Sequence, residues 1–202
     1  MLESGLTNNH NHPVSLVFRF LKKLLGRLRV KSKPLPSKKK AEPRRRWVFD
    51  ARTKKNLATL NPKVIPVFTE LTEIAMEVGE KYGITIKMIC GHRSFEEQKR
   101  LYAKGRFGDK GPRVTTVKVS KHCMGIAADY GCFAKGKYLD ATNSVLSSKI
   151  YAEMFKKAQE YNLPIIHGGQ WKSFPDPPHF EFKNGLTIAQ MVRRLEKGQS
   201  IV

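Results

Sequence analysis

Residues 31–46, KSKPLPSKKKAEPRRR, most strongly constrain what this chain can fold into. The stretch is basic, contains prolines and has almost no large apolar side chain. It cannot bury a core and reads as a solvated linker. It divides 202 residues into two unequal parts. Residues 1–50 carry 13 Lys/Arg and 3 Asp/Glu, against 25 and 14 over residues 51–202. The expected organisation is a basic extension over 1–47, made of one amphipathic helix and the linker, and one folded domain over 48–202. Hydrophobic residues make up 40% of the chain, enough for a packed core in the second part.

The formal net charge of +21 suits a polyanionic partner: nucleic acid, an acidic membrane surface or an anionic wall polymer. Charge alone does not choose among them. Helix-turn-helix and zinc-finger spacings are missing, as is an aromatic-rich strand of the single-strand-binding kind, so no nucleic acid is expected. Residues 14–30, VSLVFRFLKKLLGRLRV, place Val14, Val17, Phe18, Leu21, Leu24, Leu25 and Leu28 within about a third of a helical circle. Arg19, Lys22, Lys23, Arg27 and Arg29 fall outside that arc. Such a basic amphipathic helix lies on an anionic membrane or lipopolysaccharide, or docks on the domain or a partner; its cation density favours the membrane reading. The same cations interrupt the best apolar run, so neither a membrane span of ~20 residues nor a signal peptide is expected.

Cys90, Cys123 and Cys132 form no C-x-x-C pair and are odd in number. They read as small buried hydrophobes in a reducing compartment rather than a disulfide framework. If His122 and Cys123 lie on extended backbone, at most one of them faces a site.

The second part reads as α+β, a small mostly antiparallel sheet backed by helices. Residues 62–82 repeat apolar residues at helical spacing through Val64, Val67, Phe68, Leu71, Ile74, Ala75 and Val78, and Gly83 ends the helix. ITIKMICG (84–91) alternates as a strand does. Ser94 is a good N-cap, with Glu97 at the capping-box position, for a helix over Phe95–Lys104. Residues 105–120 are rich in glycine and charge and read as an active-site loop. IAADYG (126–131) reads as a buried strand, 146–161 as an amphipathic helix, and LPIIHGG (163–169) and HFEF (179–182) as two further strands.

Chemistry concentrates in two places. In SKHCMGIAAD (120–129), His122 precedes Asp129 by seven. On one regular strand an odd separation puts them on opposite faces, but a turn at Gly125 brings both to one point. In DPPHFE (176–181), two prolines stiffen the approach to His179. Two histidines, one carboxylate and a water make a catalytic zinc shell with an open position. From spacing alone, satisfied structural histidines remain the competing reading.

The pattern S-x-H-x-x-G-x-A-x-D, then G-G-x-W, then D-x-P-H-F-E resembles the VanY-like zinc peptidases. These include D-alanyl-D-alanine carboxypeptidases and the L-alanyl-D-glutamate endopeptidases of phage endolysins and bacterial autolysins. GHRSFEEQ (91–98) followed by L-Y-x-x-G-R, and the opening RTKKNLATLNP (52–62), resemble the same family, the latter its endopeptidase branch. The similarity spans about residues 48–185. It implies Zn2+ held by His122, Asp129 and His179 in a cleft on the sheet, with Asp176 as acid/base and Arg93 as the arginine that stabilises the developing oxyanion. It leaves Glu181 as a rival base or a group orienting a ligand, and implies that Ser120 hydrogen-bonds near the site and Trp171 packs under the cleft wall. The endopeptidase branch usually has Trp-Gly-Gly where this chain has His167-Gly168-Gly169. His167 therefore lines the cleft or replaces an aromatic wall, with the second reading favoured. The implied substrate is the peptidoglycan stem peptide, cut by a monomer that reaches the wall or periplasm without a signal peptide, after release through a lysis pore. D-Alanyl-D-alanine cleavage, and a wall- or nucleic-acid-binding protein without activity, are the alternatives.

On this reading, deleting residues 1–46 leaves hydrolysis of a soluble muropeptide unchanged and reduces co-sedimentation with anionic vesicles. Undiminished vesicle binding by the shortened chain would remove the membrane role of residues 14–30.

Overall fold

A computed structural model describes residues 47–202. The amphipathic helix expected over 14–30 and the linker over 31–46 lie outside the described residues. Those described hold five α-helices and a five-stranded sheet.

The sheet order is β1(Thr85–Cys90), β2(Ala127–Ala134), β5(His179–Phe182), β4(Ile165–His167), with the short β3(Lys137–Tyr138) on β2; every pairing is antiparallel. The α+β expectation therefore holds. Strand alternation divides the residues between two faces. Ile86 and Met88 of β1, Ala128, Tyr130 and Cys132 of β2, and Phe180 of β5 belong to the buried core. Asp129, His179 and Glu181, at the alternate positions, are left for the other face.

Helices α1(Ala51–Ala58) and α2(Ile65–Tyr82) pack on β1, and α4(Val145–Glu160) packs on α2 and β4. The apolar stripe read from the sequence is the stripe that α2 buries: Phe68, Leu71, Ile74, Ala75 and Val78. Gly83 ends α2 at φ 65°, a left-handed conformation that glycine adopts without cost. Across the core, Tyr130 Oη lies 3.0 Å from Thr72 Oγ1, and Tyr151 Oη donates to the Tyr130 carbonyl at 2.9 Å. These bonds tie α2 and α4 to the middle of β2.

Helix α3(Phe95–Ala103) starts where expected, with Ser94 Oγ accepting from the Glu97 amide at 3.1 Å. Two helices escaped the sequence reading. In α1, Asp50 caps the Thr53 amide, but only Thr53 and Leu57 are buried, too few for a visible stripe. In α5(Ile188–Glu196), Thr187 and Gln190 form a full capping box. That T-x-x-Q signature was readable.

His122 does not sit on extended backbone. Lys121–Met124 is a turn of 3-10 helix, capped by Ser120 and closed by Gly125 at φ 65°. The alternating-face argument against His122 and Cys123 therefore does not apply, and both are buried. A Cβ on Gly125 would stand 2.9 Å from the Asn61 amide nitrogen, which itself donates to the Gly125 carbonyl at 2.8 Å. Gly125→Ala should cost about 1–2 kcal/mol from the left-handed backbone alone, with the steric conflict added. Thermal denaturation of the variant reads this as a lowered Tm; an unchanged Tm would contradict the turn geometry.

Candidate metal centre

Sheet register assembles the centre. Asp129 pairs with His179 across β2–β5 and with Cys90 across β1–β2, where the register slips between Met88 and Cys90. The 3-10 turn then folds His122 back over the start of β2. His122 Nε2 lies 3.0 Å from Asp129 Oδ1 and 3.1 Å from His179 Nδ1. His179 Nδ1 lies 3.0 Å from the same carboxylate oxygen. The three residues named from the sequence thus meet at one point, and both histidines are buried.

Their outward nitrogens fix the chemistry of that point. His122 Nδ1 is 2.7 Å from the Gly91 carbonyl, which can only accept, so Nδ1 carries the hydrogen. His179 Nε2 is 3.3 Å from Glu181 Oε2, and Lys121 Nζ holds the other Glu181 oxygen at 3.0 Å. Each neutral imidazole therefore donates outward and turns a lone pair inward. Two nitrogen lone pairs and a carboxylate oxygen converge, an arrangement that needs a cation between them. The donor set fits zinc, whose bonds to histidine and carboxylate run about 2.0–2.2 Å. Separations of 3.0–3.1 Å among the three donors are close to those in such a shell.

A proton on the histidines offsets the Asp129 charge in the way a bound cation would, and the electrostatics run in that direction. Burial disfavours a charged His122, but the Asp129 carboxylate outweighs it and raises the imidazole pKa to about 10. Burial likewise opposes charge on His179, and hydrogen bonds to Asp129 and Glu181 raise its pKa. Burial pushes Asp129 up, while the two histidines hold it well below the ordinary carboxylate range. Glu181 is lowered on balance, burial being offset by His179 and Lys121. Asp176 goes the other way: burial, then the Asp129 charge, raise it.

Arg93 stands beside the cluster. Its backbone amide donates to the His122 carbonyl at 3.2 Å, Nη1 donates to Gln98 Oε1 at 2.9 Å, and Nη2 lies 3.5 Å from Asp129 Oδ2. Its Nε is buried without a hydrogen-bond partner. Ser120 Oγ accepts from the His122 amide at 3.3 Å. Trp171 tilts over His179 with ring centroids 5.0 Å apart, and it is partly exposed, at the cleft surface rather than beneath its wall.

Cys90 is the neighbour that sequence reasoning missed. It is half-buried, and its sulfur accepts from Arg93 Nη2 at 3.4 Å and lies 3.8 Å from His122 Nδ1. Cys90, His122 and Asp129 have donor atoms within 4.8 Å of one another, so this group also could hold a metal. The sulfur, however, faces the Nδ1 edge, which the Gly91 carbonyl occupies, whereas Asp129 and His179 share the Nε2 edge. Only the cross-strand pairing with Asp129 brings Cys90 here, and no local motif announces it.

His167 lies behind the centre. It is buried, stacks on Phe180 with centroids 4.6 Å apart and planes 19° apart, and Nε2 donates to the Pro177 carbonyl at 2.8 Å. The Asp176 amide donates to the Gly168 carbonyl at 3.0 Å, and the Tyr130 amide to the Pro178 carbonyl at 3.0 Å. Three bonds therefore clip the turn that joins Asp176 to His179. Gly168 is needed because a Cβ there would meet the Asp176 carbonyl at 2.7 Å.

A family model described as D-alanyl-D-alanine carboxypeptidase matches residues 113–182, a span containing Ser120, His122, Asp129, Asp176, His179 and Glu181. The peptidoglycan L-alanyl-D-glutamate endopeptidase CwlK of Bacillus subtilis (strain 168) is 29% identical over 122 residues, 57% of this chain and 71% of that protein. Over residues 113–182, about a third of its length, the chain is similar to this peptidase family. Among solved structures, the L-Ala D-Glu endopeptidase ChiX of Serratia marcescens is similar at 23% identity and TM-score 0.48, over 66% of this chain and 88% of that one. A mutant of the vancomycin-resistance D,D-pentapeptidase VanY, solved in complex with Zn(II), is similar at 15% identity and TM-score 0.38, over 70% and 81%.

His167→Phe keeps an aromatic ring on Phe180 and leaves the Pro177 carbonyl without its donor. Urea denaturation should show a loss of about 1–3 kcal/mol, the cost of an unsatisfied buried polar group. An unchanged midpoint would show that the bond does not hold the turn.

Proposed function

We propose that this chain is a zinc-dependent peptidoglycan peptidase that hydrolyses the L-alanyl–D-glutamate bond of the stem peptide. The observation that carries the reading is the convergence of the His122, His179 and Asp129 donor atoms within 3.0–3.1 Å of one another, with a half-buried, raised-pKa carboxyl at Asp176. His122, Asp129 and His179 are the ligands. Zinc, when bound there, acidifies water and polarises the scissile carbonyl.

The chain's own residues supply the rest. Asp176 accepts the proton of the attacking water and returns it to the leaving amine, a role suited by burial that raises its pKa toward the working range. Arg93, set by Gln98 and Asp129, contributes positive charge for the oxyanion. Glu181 is engaged by His179 and Lys121, which supports an orienting role over a proton-transfer role. Ser120 holds the His122 turn, and Trp171 walls the cleft over His179.

The bond assignment follows the CwlK relative and the sequence of the opening segment. A second reading, removal of a terminal D-alanine, follows the description of the matching family model. Among the described residues no helix is long and apolar enough to cross a membrane. We place the enzyme at the cell wall or periplasm, brought to an anionic membrane or lipopolysaccharide by residues 14–30.

Digestion of purified cell wall, with the new termini read by mass spectrometry, tests the reading. Chelator-sensitive appearance of an L-alanine carboxyl and a D-glutamate amine is expected; loss of D-alanine alone would move the enzyme to the second reading. In the same assay zinc-loaded Asp176→Ala should fall about 10²–10⁴-fold. Glu181→Ala should instead lose about 10–100-fold in metal affinity and recover with excess zinc. An active, zinc-replete Asp176→Ala enzyme would overturn the base assignment.

A further inference from the structure

The cationic charge of the folded part is not spread evenly. Between positions 99 and 121 lie eight Lys/Arg and one acidic residue, Asp109. The rest of residues 51–202 holds 17 and 13. Asp109 is spent on its own turn, its carboxylate accepting from the Gly111 amide at 2.7 Å. Lys104, Lys110 and Arg113 are exposed and have no ion-pair partner among the described residues.

The segment is held in shape. Arg106 lies on the Tyr102 ring at 4.1 Å and donates to the Tyr102 and Thr115 carbonyls at 2.6 and 3.0 Å, closing the loop across its base. Gly105, at φ 67°, lets the Arg113 amide and Gly111 carbonyl come where a Cβ would stand at 2.7 Å.

The loop is also wired to the metal centre. Gln98 Nε2 donates to the Val117 carbonyl at 2.8 Å, Gln98 Oε1 accepts from Arg93, and Arg93 faces Asp129. Its C-terminal end is Ser120, which caps the His122 turn. Residues 115–120 thus run directly into the turn that carries His122. Val114 and Val117 are each 46% exposed on this loop, between Arg113 and Lys118.

Exposed cations alternating with small apolar side chains match a ligand that alternates carboxylates with methyl and methylene groups. A uniformly charged phosphodiester polymer has no use for the valines. We infer that loop 104–120 selects stem peptides with free carboxylates over those whose carboxyls are amidated, Lys110, Arg113 and Lys118 taking the charge and Val114 and Val117 the aliphatic parts. The inference rests on the function proposed above and deepens it by naming the substrate class.

The test compares a soluble muramyl tetrapeptide with the same peptide amidated at its free carboxyls. Zinc-loaded full-length enzyme and the triple variant Lys110→Gln/Arg113→Gln/Lys118→Gln are assayed for cleavage, and calorimetric titration measures binding. The native enzyme should favour the free-carboxylate peptide about tenfold in KM with kcat little changed, as expected for several exposed ion pairs acting together. The preference should shrink in about 1 M salt, where the Debye length falls to about 3 Å. The variant should bind both peptides alike while its metal content and kcat stay native. Equal KM for the two peptides in the native enzyme, or an undiminished preference in the variant, would overturn the inference. Failure to cleave either peptide would sink the proposed function instead, and the titration would still decide the loop: equal affinity for both peptides rejects it.

Discussion

Everything at the centre depends on one carboxylate oxygen, Asp129 Oδ1, which meets His122 Nε2 and His179 Nδ1 at 3.0 Å each. That meeting is a consequence of core packing. Ala128, Tyr130 and Cys132 point into the helices, so Asp129 must point away. A slip of one residue in β2 would bury the carboxylate and expose Tyr130, a full reversal of faces. The hydrophobic effect thus fixes where the charge goes, and the Thr72 and Tyr151 contacts with Tyr130 lock the strand to α2 and α4.

How much of this was legible in the sequence depended on the range of the interaction. Helix α2 and the Ser94 cap could be read because stripe and cap are local, and both stand within a residue or three of where they were expected. The pairing of His122 with Asp129 could be read because Gly125 marks the turn that an odd separation requires. His179 entered through the resemblance and the stiff Asp-Pro-Pro approach, and the β2–β5 register sets it opposite Asp129. Cys90 could not be read. Its place beside His122 and Arg93 depends on the irregular β1–β2 register, set by two strands nearly forty residues apart. Nor could the burial of His167, since its stacking on Phe180 and its bond to Pro177 appear only once β4 and β5 pair. Helix α1 hid for another reason: it is held by the Asp50 cap and by Asn56 Nδ2 donating to the Met88 carbonyl at 2.8 Å, not by a stripe.

Three carboxyl groups share this small region, and their surroundings separate them. Asp129 faces two imidazoles and is held ionised. Glu181 is bracketed by His179 and Lys121, so its charge is neutralised locally and its oxygens are committed. Asp176 is half-buried, feels the negative charge of Asp129, and is pushed up in pKa by desolvation and that charge. Groups whose surroundings drive their pKa values apart are those able to divide the work of binding a cation and moving a proton.

This separation has a structural cause in the Asp176–His179 turn. Residues 176 and 179 belong to the same turn, closed by the His179 amide donating to the Asp176 carbonyl at 3.1 Å. One element therefore carries both the proposed ligand His179 and the proposed proton acceptor Asp176, and the clip from His167, Gly168 and Tyr130 holds both at once. Displacing that turn would move both groups together. Glu181, by contrast, sits in the ladder two residues on, where its neighbours are set by β5 and Lys121 and where it steadies the His179 ring. The geometry of one proline-stiffened turn thus separates the carboxyl we propose to move the proton from the one we propose to aim the ligand.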